Sequence, residues 1–339
     1  MLRCRVQPIG DFVALGRRWR ALEMHAPAGF FRSWLFMGCL AEQRFANAEL
    51  LAVTQDGDDV ALALLGSGGG RRWLNQTGDA AHDSVFIEHN GVLAAEEAMP
   101  ALPGCLRQAT LRGGLELSGV DQRTLQAAES SGWVRTKIAR HAPRILLSDL
   151  RRPYLETISA NTRSQIRRSE RLYGPELRLQ VAGSVTQALA WFAEMVTLHQ
   201  AAWRARGQPG AFAHPHMVAF HAALIESAFD CGQTDLLRIE AGARHVGTLY
   251  NLRAGGRVYC YQSGFSYSDD NREKPGLCCH ALAIAHYVRI GQGVYDFLAG
   301  SDRYKQSLAA DSEELYWATL FRPWSLAGGR ARVRAVISR

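Results

Sequence analysis

An internal repeat constrains this chain more than any single motif. Trp19-Arg20-Ala21 recurs 184 residues later as Trp203-Arg204-Ala205, and a P-x-x-F group follows each, Pro27 to Phe30 and Pro209 to Phe212. Phe36, Leu40, Glu42 and Phe45 then match Phe220, Leu224, Glu226 and Phe229, again 184 apart. Gly69-Gly70-Arg71 with Gln76 and Gly78 matches Gly255-Gly256-Arg257 with Gln262 and Gly264. Leu117, Gly119 and Asp121 match Leu298, Gly300 and Asp302. Four groups in one order at a near-constant offset indicate a duplication, and a duplication bounds the fold before any motif does. The 339 residues therefore read as two homologous halves, 1–150 and 151–339, each of ordinary domain size.

Both halves show one order of elements. Apolar residues at helical spacing predict helices over 10–24 and 31–44, and over 184–204 and 214–231. Three strands follow in each half (48–55, 60–66 and 71–76; 234–240, 245–253 and 257–264). Asp56-Gly57-Asp58, Ala241-Gly242-Ala243 and the glycine pairs at 69–70 and 255–256 mark their turns. A helix (94–110; 275–290), a short strand (114–118; 294–298), a short helix (121–131; 302–309) and a closing strand (133–147; 314–321) complete each half. The expected class is α/β, a mixed sheet flanked by helices, built twice.

Charge and cysteine usage narrow the partners. Thirty-nine Lys+Arg against 32 Asp+Glu leave a formal net charge of +7, which favours anionic ligands such as phosphates. Only Lys137, Lys274 and Lys305 are lysines. The seven cysteines form no C-x-x-C pair and no histidine stands at ligand spacing from them, so no metal is expected. An odd number of scattered cysteines fits a reducing compartment. No run reaches the ~18 apolar residues of a membrane span. The first residues lack a signal-peptide core, so the expected location is cytoplasmic.

The runs able to carry chemistry lie in the second half. They are Asn161-Thr162-Arg163 through Arg168, Leu198-His199 with Trp203-Arg204, Gly264-Phe265, Pro275-Gly276, Asp296 to Gly300, and Tyr304-Lys305. With the element order, these resemble the GNAT acyltransferases. The tandem arrangement resembles the Fem peptidyltransferases and the CelD-like proteins of exopolysaccharide loci. The resemblance covers residues 160–310 directly, and the first half joins it through the repeat.

That resemblance implies an N-acyltransferase with acetyl-coenzyme A or another acyl-coenzyme A as co-substrate. The acceptor would be an amine, free or phosphorylated, on a sugar or amino-acid precursor of envelope or exopolysaccharide synthesis. In the family, the donor's pyrophosphate lies at the N-terminus of the helix after the fourth strand. Free N–H groups and the positive helix end favour anionic oxygens there. The matching residues are Arg272, Lys274, Pro275, Gly276, Leu277 and Cys278. Pro275 suits a first helical position, Gly276 permits close approach, and Arg272 and Lys274 add positive charge. Tyr304 matches the family's tyrosine that protonates the departing thiolate. Lys305 can hold the oxyanion, and Asp302 is a natural N-cap of the helix that carries both.

Arg163 and Arg167, four apart on one helix face, can clamp a phosphate or carboxylate. His199 and Trp203 share a face at the same spacing, with His199 either a base or a core histidine. Tyr259 and Tyr261 share one face of a strand, lining a channel or filling the sheet's packed side. The loop before Pro275 has less glycine than the family's Gln/Arg-x-x-Gly-x-Gly/Ala pattern, which keeps two alternatives open. One is a Fem-like ligase using aminoacyl-tRNA; the other is a non-catalytic accessory protein of polysaccharide synthesis. No aromatic residue interleaves the arginines of 163–171, so DNA is not an expected partner, and tRNA only under the first alternative. In the first half the acidic stretch Asp79–Asn90 stands where a pyrophosphate would lie, so that half is expected to be degenerate.

Overall fold

Alternating and helical patterns become two units built to one plan in the computed structural model, which describes residues 1–44, 47–84, 87–300, 303–322 and 328–329. Unit one comprises Met1–Arg140 and Glu314–Arg339, and unit two His141–Glu313. The chain thus does not divide by a single cut at residue 150, because Glu314 onward goes with the first unit.

Unit one contains β1 (Leu2–Pro8), α1 (Phe12–Glu23), α2 (Trp34–Arg44), β2 (Glu49–Gln55), β3 (Asp58–Gly68), β4 (Arg71–Leu74) and β5 (Leu93–Ala94). It continues with α3 (Leu102–Ala109), β6 (Leu115–Val120), α4 (Gln122–Ser131) and the start of β7 (Trp133–Leu146). Unit two takes the end of β7, then α5 (Ala160–Tyr173), β8 (Leu177–Val181), α6 (Val185–Arg204), α7 (Pro215–Ala228), β9 (Thr234–Ala241), β10 (Arg244–Ala254) and β11 (Arg257–Phe265). It ends with α8 (Pro275–Arg289), β12 (Val294–Asp296), α9 (Arg303–Leu308) and the first residues of β13 (Asp311–Phe321).

Local chemistry sets the element ends. Asp11, Asp121, Ser159 and Ser184 cap α1, α4, α5 and α6 by accepting a first-turn N–H, from Ala14, Thr124, Thr162 and Gln187 respectively. The β10–β11 hairpin turns on Gly255 and Gly256, both left-handed (φ 57 and 76), the backbone of a type I′ turn. Two strands escaped the sequence reading. β1 and β8 are antiparallel edge strands on β2 and β9, short segments to which the sequence pattern assigns no element. The helix expected over 94–110 is mostly not helical in the α sense. Pro100 and Pro103 leave a 3₁₀ stretch, Glu96–Ala101, before the short α3.

In unit one the strand order is β1-β2-β3-β4-β6-β13, and in unit two β7-β12-β11-β10-β9-β8. The closing strands are therefore exchanged. Beside β6 lies β13 from the far end of the chain, with Tyr316 opposite Val120. Beside β12 lies β7 from the end of the first half, with Ile145 opposite Tyr295. The core of unit one gathers Leu51, Leu65, Leu74, Leu106, Leu117 and Leu320. That of unit two gathers Ile166, Leu237, Val258, Ile284, Tyr287 and Phe297.

Close backbone approach locates α6 on β11. A Cβ at Gly264 would sit 2.4 Å from the Met195 carbonyl oxygen, inside any tolerable contact. Gly264→Ala should therefore cost about 1–3 kcal/mol of stability through overpacking, read as a lower urea midpoint with unchanged slope.

Candidate functional site

The parallel ladder between β11 and β12 is three residues long, Arg257↔Val294, Val258↔Tyr295 and Tyr259↔Asp296. β12 stops there while β11 runs on to Phe265. A β-bulge against β10 falls just past that point. Tyr250 faces Gln262 and Asn251 faces Cys260, so Tyr261 is the extra residue, and bulges leave backbone groups out of the ladder. At the end of β12, the Asp296 carboxylate is fully buried. Its Oδ1 accepts the Leu298 N–H at 2.7 Å and its Oδ2 lies 3.2 Å from the Arg257 guanidinium. Leu298 is left-handed (φ 59), a strained conformation for a leucine, and this carboxylate holds it there.

α8 begins beside this opening. Lys274 is its cap residue, Pro275 its first helical residue, and the Cys278 N–H returns to the Lys274 carbonyl at 3.0 Å. The Gly276 and Leu277 N–H groups precede that first helical bond and belong to the positive end of a 15-residue helix. α5 packs alongside. Ser169 Oγ accepts the Lys274 N–H at 2.8 Å, and the Cys278 thiol donates to the Ile166 carbonyl at 3.8 Å. Cys278 is thus fully buried, and its side chain is withdrawn from the ligand role expected of it. A Cβ at Gly276 would meet the Phe265 ring at 3.4 Å, an ordinary contact, so crowding does not require glycine there.

The two cations expected at this loop behave differently. Arg272 lies against the Asp270 carboxylate at 2.7–3.0 Å, which holds that carboxyl down at about 2. Its charge is largely matched before any ligand arrives. Lys274 has no carboxylate partner among the described residues. On α5, Arg163 turns back to the Leu155 carbonyl at 3.3 Å, while Arg167 is exposed.

Several expected substrate-binding residues are structural. His199 has both ring nitrogens engaged: Nδ1 lies 3.0 Å from the Ser263 carbonyl, and Nε2 accepts the Ala211 N–H at 3.2 Å. Burial pushes its pKa down, so it is a neutral tie between α6 and β11 and has no lone pair left for base catalysis. Tyr261 packs against His221 and Tyr250 at centroid distances of 4.8 and 5.9 Å, and Tyr259 is likewise buried. Tyr261 thus fills the sheet face under α7. Trp203 is 37% exposed, with the Arg206 guanidinium 5.8 Å from its ring centroid.

His280, one turn further along α8, has the opposite character. Its ring is fully buried among Phe265, Phe297 and Tyr304, the last stacked on it at 5.4 Å and 16°. Nδ1 lies 3.0 Å from the Tyr295 hydroxyl and 3.9 Å from the Cys260 thiol, while Nε2 has no hydrogen-bond partner among the described residues. A buried polar atom left unpaired costs ~1–3 kcal/mol. Burial, helped by the nearby Lys305 charge, lowers its pKa to about 3. One sequence signal pointed here: His280 shares a helix face with Ile284 and Tyr287, a titratable group on an otherwise apolar stripe.

Residues 159–306, from the cap of α5 into α9, match the family profile of the acetyltransferase (GNAT) domain. The second unit has the GNAT fold. Solved structures extend the fold likeness over both units. FemX is 11% identical with a TM-score of 0.62, covering 94% of this chain and 98% of its own. The C-terminal domain of a putative lysylphosphatidylglycerol synthetase from Agrobacterium fabrum is 12% identical with a TM-score of 0.59, covering 96% and 97%. L-PGS from Bacillus licheniformis is 11% identical with a TM-score of 0.60, covering 95% and 97%. At such identities the likeness is one of fold. No curated protein matches the chain by sequence at a significant level.

In the GNAT unit, α9 brings Tyr304 and Lys305 to the ends of β11 and β12. Tyr304 stacks on His280 as described. The Lys305 ammonium donates to the Leu298 and Ala299 carbonyls at 3.3 and 3.2 Å, which uses two of its three N–H groups. Asp302, expected to cap α9, lies outside the described residues.

A pH test follows from His280. The folded ring stays neutral down to about pH 3, whereas an ordinary histidine protonates near 6.5. The unfolded chain therefore binds the extra proton first, and stability falls as pH drops from 6.5 towards 3, by up to ~1.4 kcal/mol per pH unit for this group. His199, His245 and His286, also lowered chiefly by burial, add slope of the same sign. Urea unfolding between about pH 7 and pH 4 should show a shallower loss in His280→Phe than in the parent protein.

Proposed function

We propose that this protein transfers an acyl group from an acyl-coenzyme A to an amine acceptor, using a single site in the GNAT unit. The observation that carries the reading is the parting of the parallel strands β11 and β12 beside the first turn of α8. The parted strands suit a narrow extended arm. The Gly276 and Leu277 amides and the Lys274 ammonium suit its phosphates. The acceptor class is an amine on a sugar or amino-acid precursor of the cell envelope, free or phosphorylated, with exposed Arg167 and Trp203 as its candidate contacts. The expected setting is the cytoplasm; among the described residues no helix is long and apolar enough to cross a membrane.

In this reading the amine nitrogen attacks the thioester carbonyl. Negative charge develops on the carbonyl oxygen, and the remaining Lys305 N–H, with backbone groups freed at the Tyr261 bulge, stabilises it. As the C–S bond breaks, Tyr304 gives its phenolic proton to the thiolate and regains one from solvent. Holding both substrates together supplies much of the acceleration. Because His199 is fully hydrogen-bonded, the amine's proton leaves through water.

The first unit serves as scaffold. Its β4 and β6 are also parallel and pair only at Arg72↔Leu115 and Trp73↔Glu116, but the chain's own loop occupies the space beyond. Buried Asn75 (φ 55) accepts the Leu64 N–H at 2.9 Å and donates to Asn90 Oδ1 and the Gly91 carbonyl at 2.8 and 2.9 Å. Asn90 in turn donates to the Leu74 and Ser118 carbonyls at 3.1 and 3.0 Å, stitching both strand ends to the loop.

Isothermal titration with acetyl-coenzyme A and longer acyl esters tests the donor site. Gly276→Glu places a carboxylate at a helix N-terminus, where it favours the helix yet repels phosphate. It should abolish ester binding without lowering stability, and Lys274→Ala should weaken binding about tenfold. Once an acceptor is found, Tyr304→Phe should lower kcat about 100-fold with little change in KM. Ester binding unaffected by Gly276→Glu would overturn the placement. A second reading is an aminoacyl-tRNA-dependent ligase, favoured by the fold likeness to FemX and by the arginines of α5. A well-folded protein that binds no ester but retains aminoacyl-tRNA would decide for it.

A further inference from the structure

Proton accounting around His280 gives its buried ring a use. Three groups meet at Nδ1: the ring nitrogen, the Tyr295 hydroxyl at 3.0 Å and the Cys260 thiol at 3.9 Å. Phenol and thiol each carry a hydrogen, and sulfur is a weak acceptor, so an imidazole lone pair is the strongest acceptor of the three. Nδ1 therefore receives the Tyr295 hydrogen, and the neutral ring keeps its own proton on Nε2. Burial favours that neutral ring. Nε2–H is then a fully buried donor with no acceptor among the described residues. Native structures rarely leave such a group without a reason.

The direction of Nε2–H follows from the ring. Nδ1 faces Tyr295 and Cys260, next to the last paired residues of the β11–β12 ladder. Nε2 lies on the opposite side of the ring from Nδ1, directed away from that paired root, and the imidazole as a whole is enclosed by the rings of Phe265, Phe297 and Tyr304. Phe265 and Tyr304, which pack on the imidazole, are themselves only half-buried.

We propose that His280 is a ligand-binding residue whose Nε2–H donates to a carbonyl oxygen, thioester or amide, on the donor substrate's extended arm between β11 and β12. The assignment rests on the acyl-coenzyme A reading above. It gives the second unit a contact deep in the cleft, separate from the phosphate-facing first turn of α8. The chemistry selects an arm bearing carbonyl groups and offers nothing to a purely aliphatic chain.

The test compares three ligands on the full-length parent protein, His280→Phe and His280→Gln by isothermal titration. Acetyl-coenzyme A carries the arm and the acyl carbonyl, coenzyme A carries the arm alone, and adenosine 3′,5′-bisphosphate carries neither. His280→Phe should weaken acetyl-coenzyme A about tenfold, as expected for one lost hydrogen bond. His280→Gln, which restores an N–H, should recover most of that loss, and adenosine bisphosphate should bind all three proteins equally. A loss shared by coenzyme A places the contact on an arm amide; a loss confined to acetyl-coenzyme A places it on the thioester carbonyl.

Equal acetyl-coenzyme A affinity in the parent and His280→Phe would overturn the assignment and leave the donor reading standing. Such a result would leave Nε2–H to a buried water. Equal loss of all three ligands in His280→Phe would also overturn it, making His280 a structural residue only. Failure of the parent protein to bind any of the three would remove the donor reading and the assignment together.

Discussion

One buried carboxylate organises the second unit. Asp296 ends β12 with one oxygen on the Leu298 amide and the other towards Arg257, whose guanidinium also reaches Glu313 at 3.0 Å. A carboxylate out of water demands such partners, and removing one strands the other. The partners it takes are consequential. The bond to Leu298 forces a left-handed turn, ends the ladder with β11 and aims the Leu298 and Ala299 carbonyls at Lys305. The parted strands, the anchored ammonium and the position of α9 all descend from that turn.

Much of the scaffold was legible in the residues because it rests on local rules. Gly255 and Gly256 announce a tight hairpin since few other residues accept two successive positive φ values. Pro275 announces the start of α8 because its ring forbids an earlier one. The edge strands Leu2–Pro8 and Leu177–Val181 do alternate, but each is short and carries arginine on its outer face, so the pattern was too weak to name. The exchange of closing strands was invisible in principle. Two homologous strands of similar pattern fit either sheet, and only the packed structure says which one each joins.

The candidate site was legible in the backbone that frames it and less so in its side chains. The first turn of α8 was placed by Pro275 and Gly276, and Tyr304 and Lys305 do lie at the strand ends. His199, Tyr259 and Tyr261 were drawn in by type, yet their surroundings make them packing residues. Cys278 followed from its place in a run, but α5 covers its thiol. Arg272 adds positive charge in the sequence, but Asp270, two residues away, matches that charge in the fold. His280 stood in plain view without a partner in sequence, since Tyr295 and Cys260 reach it only through the fold. The side-chain amides of Asn75 and Asn90 are matched within the chain, whereas the His280 ring keeps one nitrogen unmatched among the described residues.

The exchanged strands bear on the order in which the protein can be made. Val120 pairs with Tyr316, a partner about 200 residues later, so β6 emerges from the ribosome with a bare edge. That edge persists through synthesis of nearly the whole second unit, and an unpaired edge invites pairing with another chain. β12 faces no such wait, since its partner β7 has already been made. The second unit's sheet can therefore finish while the chain is still growing, and the first unit's sheet closes last although its residues are made first.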